Sequence, residues 1–93
     1  MVKTHPYDSA EFLDSAEAIS AYLEAAFEEK DPAFITHALG VVARAKGMSD
    51  VAKKAGLTRE SLYKALSAEG NPEFATVLRV LNALDLKFAV KAA

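Results

Sequence analysis

The sequence predicts an all-α domain of five helices with one candidate β-strand at the C-terminus, and three observations predict it. Apolar residues recur at helical spacing along most of the chain. Helix-starting and helix-stopping residues fall at the ends of those stripes. The segments between them are too short to separate domains, so the 93 residues form one unit. Within it, residues 1–30 are an acidic N-terminal segment and helix, 31–85 a helical core, and 86–93 the strand or tail.

The first strong stripe is Ile19, Tyr22, Leu23, Ala26 and Phe27, on a helix that Asp14 or Ser15 can cap. The run Glu28-Glu29-Lys30-Asp31-Pro32 breaks that helix and starts another, because Asp31 suits an N-cap and Pro32 the first helical position. Ile35, Ala38, Leu39 and Val42 mark the buried face of the second helix, Gly40 inside it predicts a close helix contact, and Gly47 stops it. Met48 to Ala55 makes two turns with Ser49 as cap, and Gly56-Leu57-Thr58 interrupts before a helix from Arg59 to Ala68. Glu69-Gly70-Asn71-Pro72 is a loop. From Phe74 the stripe resumes through Val77, Leu78, Leu81 and Leu84 and ends near Asp85. Lys87-Phe88-Ala89-Val90-Lys91 alternates polar and apolar side chains, the pattern of a short edge strand.

Composition narrows function. With no cysteine, disulfides, thiolate metal sites and cysteine nucleophiles are excluded, and a reducing compartment is the simplest setting. No apolar run approaches the ~20 residues of a membrane span, and the N-terminus lacks a signal-peptide core, so a cytoplasmic location is expected. The formal net charge of −2 conceals a strong asymmetry. Residues 1–39 hold two basic side chains (Lys3, Lys30) against eight acidic ones (Asp8, Glu11, Asp14, Glu17, Glu24, Glu28, Glu29, Asp31), a balance of −6. Residues 40–67 hold six basic side chains (Arg44, Lys46, Lys53, Lys54, Arg59, Lys64) against Asp50 and Glu60, a balance of +4. This suits an acidic partner at the centre and a basic partner at the N-terminal end; the plain alternative is solvated faces of ordinary helices.

Met48 to Ser67 is the informative stretch. Two short helices meeting at an angle need a small residue at the contact, a glycine able to take positive φ at the turn, and apolar residues in the corner. Ala52, Gly56, and Val51, Ala55, Leu57, Leu62 and Ala65 meet those needs in register. Here the resemblance is to the helix-turn-helix of the Xre/Cro/phage-repressor class, whose second helix enters the major groove. Thr58, Arg59, Glu60, Tyr63, Lys64 and Ser67 then occupy the outer face of the second helix. Arg59 or Lys64 suits guanine O6 and N7, and Tyr63 or Thr58 suits phosphate or a thymine methyl. Glu60 suits cytosine N4, repulsion of phosphate, or a pair with Lys64. Ser49 and Asn71 resemble the positions from which this fold holds phosphates, with Lys53 and Lys54 adding charge. The alternative is a helical hairpin with a merely solvated basic face.

The resemblance extends from about Tyr7 to Val90. Asp31-Pro32, the run Ala38 to Met48, Ala52 to Leu66 with its Thr-Arg-Glu-Ser-Leu-Tyr-Lys, and Asn71-Pro72 are similar to the HigA-like antitoxins, the addiction-module antidotes. One departure is Ala55, where many relatives carry a polar residue such as threonine. The resemblance implies a phage-repressor-like fold and two activities: neutralising a small basic RelE/HigB-type mRNA-cleaving toxin, and repressing the antidote's own operon through double-stranded operator DNA. A basic toxin surface suits the acidic helix, with Glu17, Glu24, Glu28 and Glu29 as candidate contacts. The competing expectation is that the Phe88 and Val90 strand pairs with a second antidote chain or with a toxin sheet edge. Operator recognition by this fold calls for a homodimer, expected through the last helix and the terminal strand.

Enzyme chemistry finds no support. His5 and His37 lack companions at metal-ligand spacing, no glycine-rich phosphate loop or nucleophile motif is present, and Glu28 and Glu29, being adjacent, face different directions around a helix. The Phe and Tyr residues fall on core stripes, which ranks a base-stacking platform below packing. The expectation is therefore a non-enzyme with no cofactor and no metal. The other functional readings are a phage- or bacterial-type repressor without a toxin partner, and a purely structural interaction module.

Overall fold

A computed structural model describes residues 13–93, and its secondary structure is five helices in a single chain order. Three of them start where a side chain claims an otherwise unpaired amide of the first turn. Ser15 caps α1 (Ala16–Glu28), its Oγ accepting from the Ala18 amide at 3.1 Å. Asp31 caps α2 (Pro32–Lys46) by accepting from the Ala33 amide at 3.1 Å, with Pro32 in the first turn as expected. Thr58 caps α4 (Arg59–Ala65). The N-cap of α3 (Met48–Ala55) is Gly47, without a side-chain bond, so Ser49 lies inside the first turn instead of capping it. Gly47 ends α2 as well, its amide donating to the Ala43 and Arg44 carbonyls, so this one residue separates the two helices.

Two helix ends that lack glycine use other residues in the left-handed region. Lys30 (φ 57°) follows α1, and Asp85 (φ 63°) follows α5 (Phe74–Ala83). After α5 the Asp85 amide donates to the Asn82 carbonyl at 3.0 Å and the Leu86 amide to the Leu81 carbonyl at 2.9 Å, which satisfies carbonyls the last turn leaves open.

The core is drawn from every helix. Ile19, Leu23 and Ala26 of α1 face Ala38, Leu39, Val42 and Ala43 of α2, and α3 packs between α2, α4 and α5. Leu39, Val42, Leu62 and Val80 are wholly buried. Each such side chain contributes roughly 1.5–3 kcal/mol relative to exposure, enough to make a short helix like α4 depend on packing and not on propensity. Thr36 is the buried polar residue among those described, and no buried side-chain polar atom among them lacks a hydrogen-bond partner. Gly40 makes the close contact expected of it: a Cβ there would lie 3.2 Å from the Leu66 carbonyl oxygen.

The C-terminal strand does not form. Residues 86–93 carry no regular structure, and the described residues contain no strand. Among the described residues no sheet edge is available to pair with, and Phe88 packs on aromatic rings instead. Its centroid lies 5.9 Å from those of Phe27 and Phe74. The aromatic residues do not all belong to the core either: Phe34, Tyr63, Phe74 and Phe88 are each more than two-fifths exposed. On α5 the buried line is Val80, Leu81 and Leu84, while Phe74 and Leu78 of the expected stripe face outward. His5, Lys3, Asp8 and Glu11 lie outside the described residues.

Candidate nucleic-acid interface

The expected corner between α3 and α4 is built from backbone upward. Gly56 takes a left-handed conformation (φ 74°, ψ 31°), which glycine adopts without the penalty a Cβ would bring. That conformation lets the Leu57 amide donate to the Ala52 carbonyl at 2.8 Å and the Gly56 amide to the Lys53 carbonyl at 3.2 Å, ending α3. Two residues on, Thr58 starts α4: its Oγ1 accepts from the Ser61 amide and donates to Ser61 Oγ, both at 2.9 Å. Val51, Ala52, Ala55 and Leu62 are buried on the inside of the corner, with Leu57 packed against them and Ala65 half-buried.

With those side chains inward, the other side of α4 faces solvent. Ser49, Lys53, Lys54, Thr58, Arg59, Glu60, Tyr63, Lys64, Ser67 and Asn71 are all exposed. The fold brings Arg59, Glu60, Tyr63, Lys64 and Ser67 together around one open surface depression. Lys53 and Lys54 stand in the last turn of α3, Ser49 in its first turn, and Asn71 in the loop before α5. Arg59 Cζ lies 5.6 Å from the centre of the Tyr63 ring. Lys54 forms an ion pair with Asp50 at 3.3 Å, whereas Glu60 and Lys64 form none among the described residues.

Two of the expected contacts are differently placed. Helix α4 ends at Ala65, three residues earlier than the sequence predicts, so Ser67 lies beyond its last turn. Its Oγ donates to the Lys64 carbonyl at 2.9 Å, and the Gly70 amide donates to the Ser67 carbonyl at 2.9 Å, turning the chain away from the helix axis. Thr58 has its hydroxyl proton committed to Ser61, which leaves none to donate to a phosphate. Ser61, which the sequence reading passed over, completes that cap; the Thr-x-x-Ser spacing is its signal, a variant of the capping box.

The acidic candidates are gathered on α1. Glu17, Glu24 and Glu28 lie on the helix and Glu29 is its C-cap residue, all exposed. Phe27 precedes Glu28 and meets the Phe88 ring, so the two regions considered for toxin contact adjoin in space. His37 is exposed on α2, and no cluster of three or more His, Asp or Glu among the described residues could hold a metal ion. No helix among them is long and apolar enough to cross a membrane.

Comparison with known proteins gives this geometry a family. A family model described as probable addiction module antidote protein matches residues 3–92. The chain belongs to that family. An addiction-module antidote implies a cognate toxin as its partner. The antidote is also 51% identical over 85 residues to an uncharacterized protein of Haemophilus influenzae (strain ATCC 51907 / DSM 11121 / KW20 / Rd), an overlap of 91% of this chain and 88% of the relative. No solved structure matches it.

Proposed function

We propose that the antidote neutralises a RelE/HigB-type mRNA-cleaving toxin and, as a homodimer in the cytoplasm, represses its own operon through a HigA-like, Xre-type helix-turn-helix formed by α3 and α4. The protein is on this reading a binding module and not an enzyme. The observation that carries the DNA half is the exposed set Arg59, Tyr63 and Lys64 on a helix anchored by the wholly buried Leu62. A rigid helix with cationic side chains outward is the form that major-groove readers take. Gly47 leaves the first amides of α3 without a side-chain cap, a suitable end for a phosphate beside Ser49. A mobility shift with the region upstream of the gene, together with growth rescue on co-expression with the adjacent small basic gene product, tests both halves. A shift without rescue would leave a plain repressor; rescue without a shift would remove autoregulation.

The acidic face of α1 is the proposed toxin contact, since a ribonuclease that grips mRNA exposes basic surface. Replacing Glu24, Glu28 and Glu29 with glutamine should weaken toxin binding and flatten its dependence on salt, measured by calorimetry at two ionic strengths. Unchanged affinity and slope would move the contact to the neighbouring Phe88 region. Dimerisation is assigned to α5 and the terminal segment, where Phe74, Leu78, Phe88 and Val90 remain exposed and apolar, without a strand. Truncation after Asp85 should yield a monomer with poor operator affinity in sedimentation and mobility-shift experiments, and a truncated dimer would refute the placement.

A further inference from the structure

Arg59 is the first residue of α4, a poor place for a cation. The start of a helix carries the positive pole of its dipole, which favours Asp and Glu there and disfavours Lys and Arg. The neighbouring cations have structural explanations. Lys64 sits in the last turn of α4, where the dipole attracts it, and Lys54 is paired with Asp50. Arg59 has no such ion pair, and none of its guanidinium N–H groups is bonded to an acceptor among the described residues. Its partner is the ring of Tyr63, one turn further along the helix. Attraction between a cation and a ring quadrupole orders the guanidinium without giving any N–H donor to an acceptor. A carboxylate would have ordered the same group by occupying its fork. The backbone that carries both groups is anchored: Leu62, next to Tyr63, is fully buried, and the Thr58–Ser61 cap fixes the turn from which Arg59 leaves the helix.

We propose that Tyr63 is a positioning residue that aims the open guanidinium fork of Arg59 at a guanine, and that Arg59, not Lys64, is the base reader of this helix. Lys64 serves a phosphate. The inference rests on the DNA-binding reading above and deepens it, dividing between two cations a role that their exposure alone leaves shared. A planar fork matches guanine O6 and N7 together, whereas an ammonium is a point charge that suits phosphate.

The test is selection of full-length wild-type and variant proteins on a pool of randomised DNA duplexes long enough for two half-sites one helical turn apart, with urea unfolding as a check on each variant. The wild type should enrich a motif with a guanine at a fixed place in each half-site. Arg59→Ala, and Arg59→Lys, which keeps the charge without the fork, should each reduce preference for that guanine about tenfold or more. Tyr63→Phe keeps the ring and should keep the preference, whereas Tyr63→Leu should lose about two- to fivefold of it. Lys64→Ala should weaken all duplexes alike and lower the salt dependence while leaving the motif intact. Three results would overturn the assignment: wild-type preference in Tyr63→Leu, an equal loss in Tyr63→Phe, or disappearance of the guanine in Lys64→Ala. If the wild type enriches no motif, the DNA-binding reading fails and takes the proposal with it; an enriched motif with a silent Tyr63 sinks the proposal alone.

Discussion

Replacing Arg59 and Lys64 together with alanine is expected to abolish operator binding and to leave toxin neutralisation intact. Both side chains are exposed and neither forms an ion pair among the described residues, so the fold has little reason to respond. A base contact contributes about 1–3 kcal/mol of discrimination, and in a dimer each substitution is made twice. Specific and non-specific binding differ by about 4–10 kcal/mol in proteins of this kind, so removing the base reader and a phosphate contact from both half-sites consumes much of that gap. The acidic residues of α1 are untouched. Mobility shifts on the upstream region at fixed salt, alongside growth rescue with the co-expressed toxin, check the expectation. A double variant that still shifts the operator like the wild type would mean that α4 does not enter the groove.

Leu62→Ala is expected to be strongly damaging to the fold. Leu62 is 0% exposed and is the buried residue of α4, a helix of 7 residues. Truncating such a side chain costs about 2–5 kcal/mol, against a total stability for small domains of about 5–15 kcal/mol. For a domain of this size that lowers the melting temperature by roughly 10 °C or more. The exposed Ser67→Ala should stay near the wild type, since its hydroxyl bonds a carbonyl in water-accessible surroundings. Thermal melts followed by circular dichroism distinguish the two. A Leu62→Ala protein that melts within a few degrees of wild type would show that α4 is held by its caps and not by its packing. Operator binding should fall with the folded fraction, because Leu62 and the C-cap residue Leu66 are what anchor the helix that carries Arg59 to the core.

The corner of the candidate site is legible in the sequence because it is made of local rules. Gly56 takes the left-handed conformation that ends α3, and Thr58 stands three positions before Ser61, where its hydroxyl can cap α4. Much of the outward set follows from the inward one, since helical spacing that buries Leu62 turns Glu60 and Lys64 to the far side, whereas Arg59, three residues before Leu62, is exposed because it stands at the first position of α4. The Arg59–Tyr63 contact was within reach of the same spacing, as a cation and a ring four residues apart, but which of several outward partners a long side chain meets depends on rotamers.

The ends of elements and the outer aromatic residues were not legible. An alternating pattern at Lys87 to Lys91 names a strand only if a sheet edge exists to receive it, and the described residues offer none. Phe88 finds Phe27 and Phe74, residues far from it in sequence, and no local pattern encodes that meeting. Ser67 falls outside α4 because its neighbours turn the chain, a choice made between bonds of similar energy.

Helix order, caps, the Gly56 turn and the charge asymmetry are properties of neighbours along the chain, so reading residues in order recovers them. Which face of α5 is buried, where α4 stops and what covers Phe27 are set by contacts between distant segments. Those contacts compete through buried area, and that competition is resolved when all five helices pack at once.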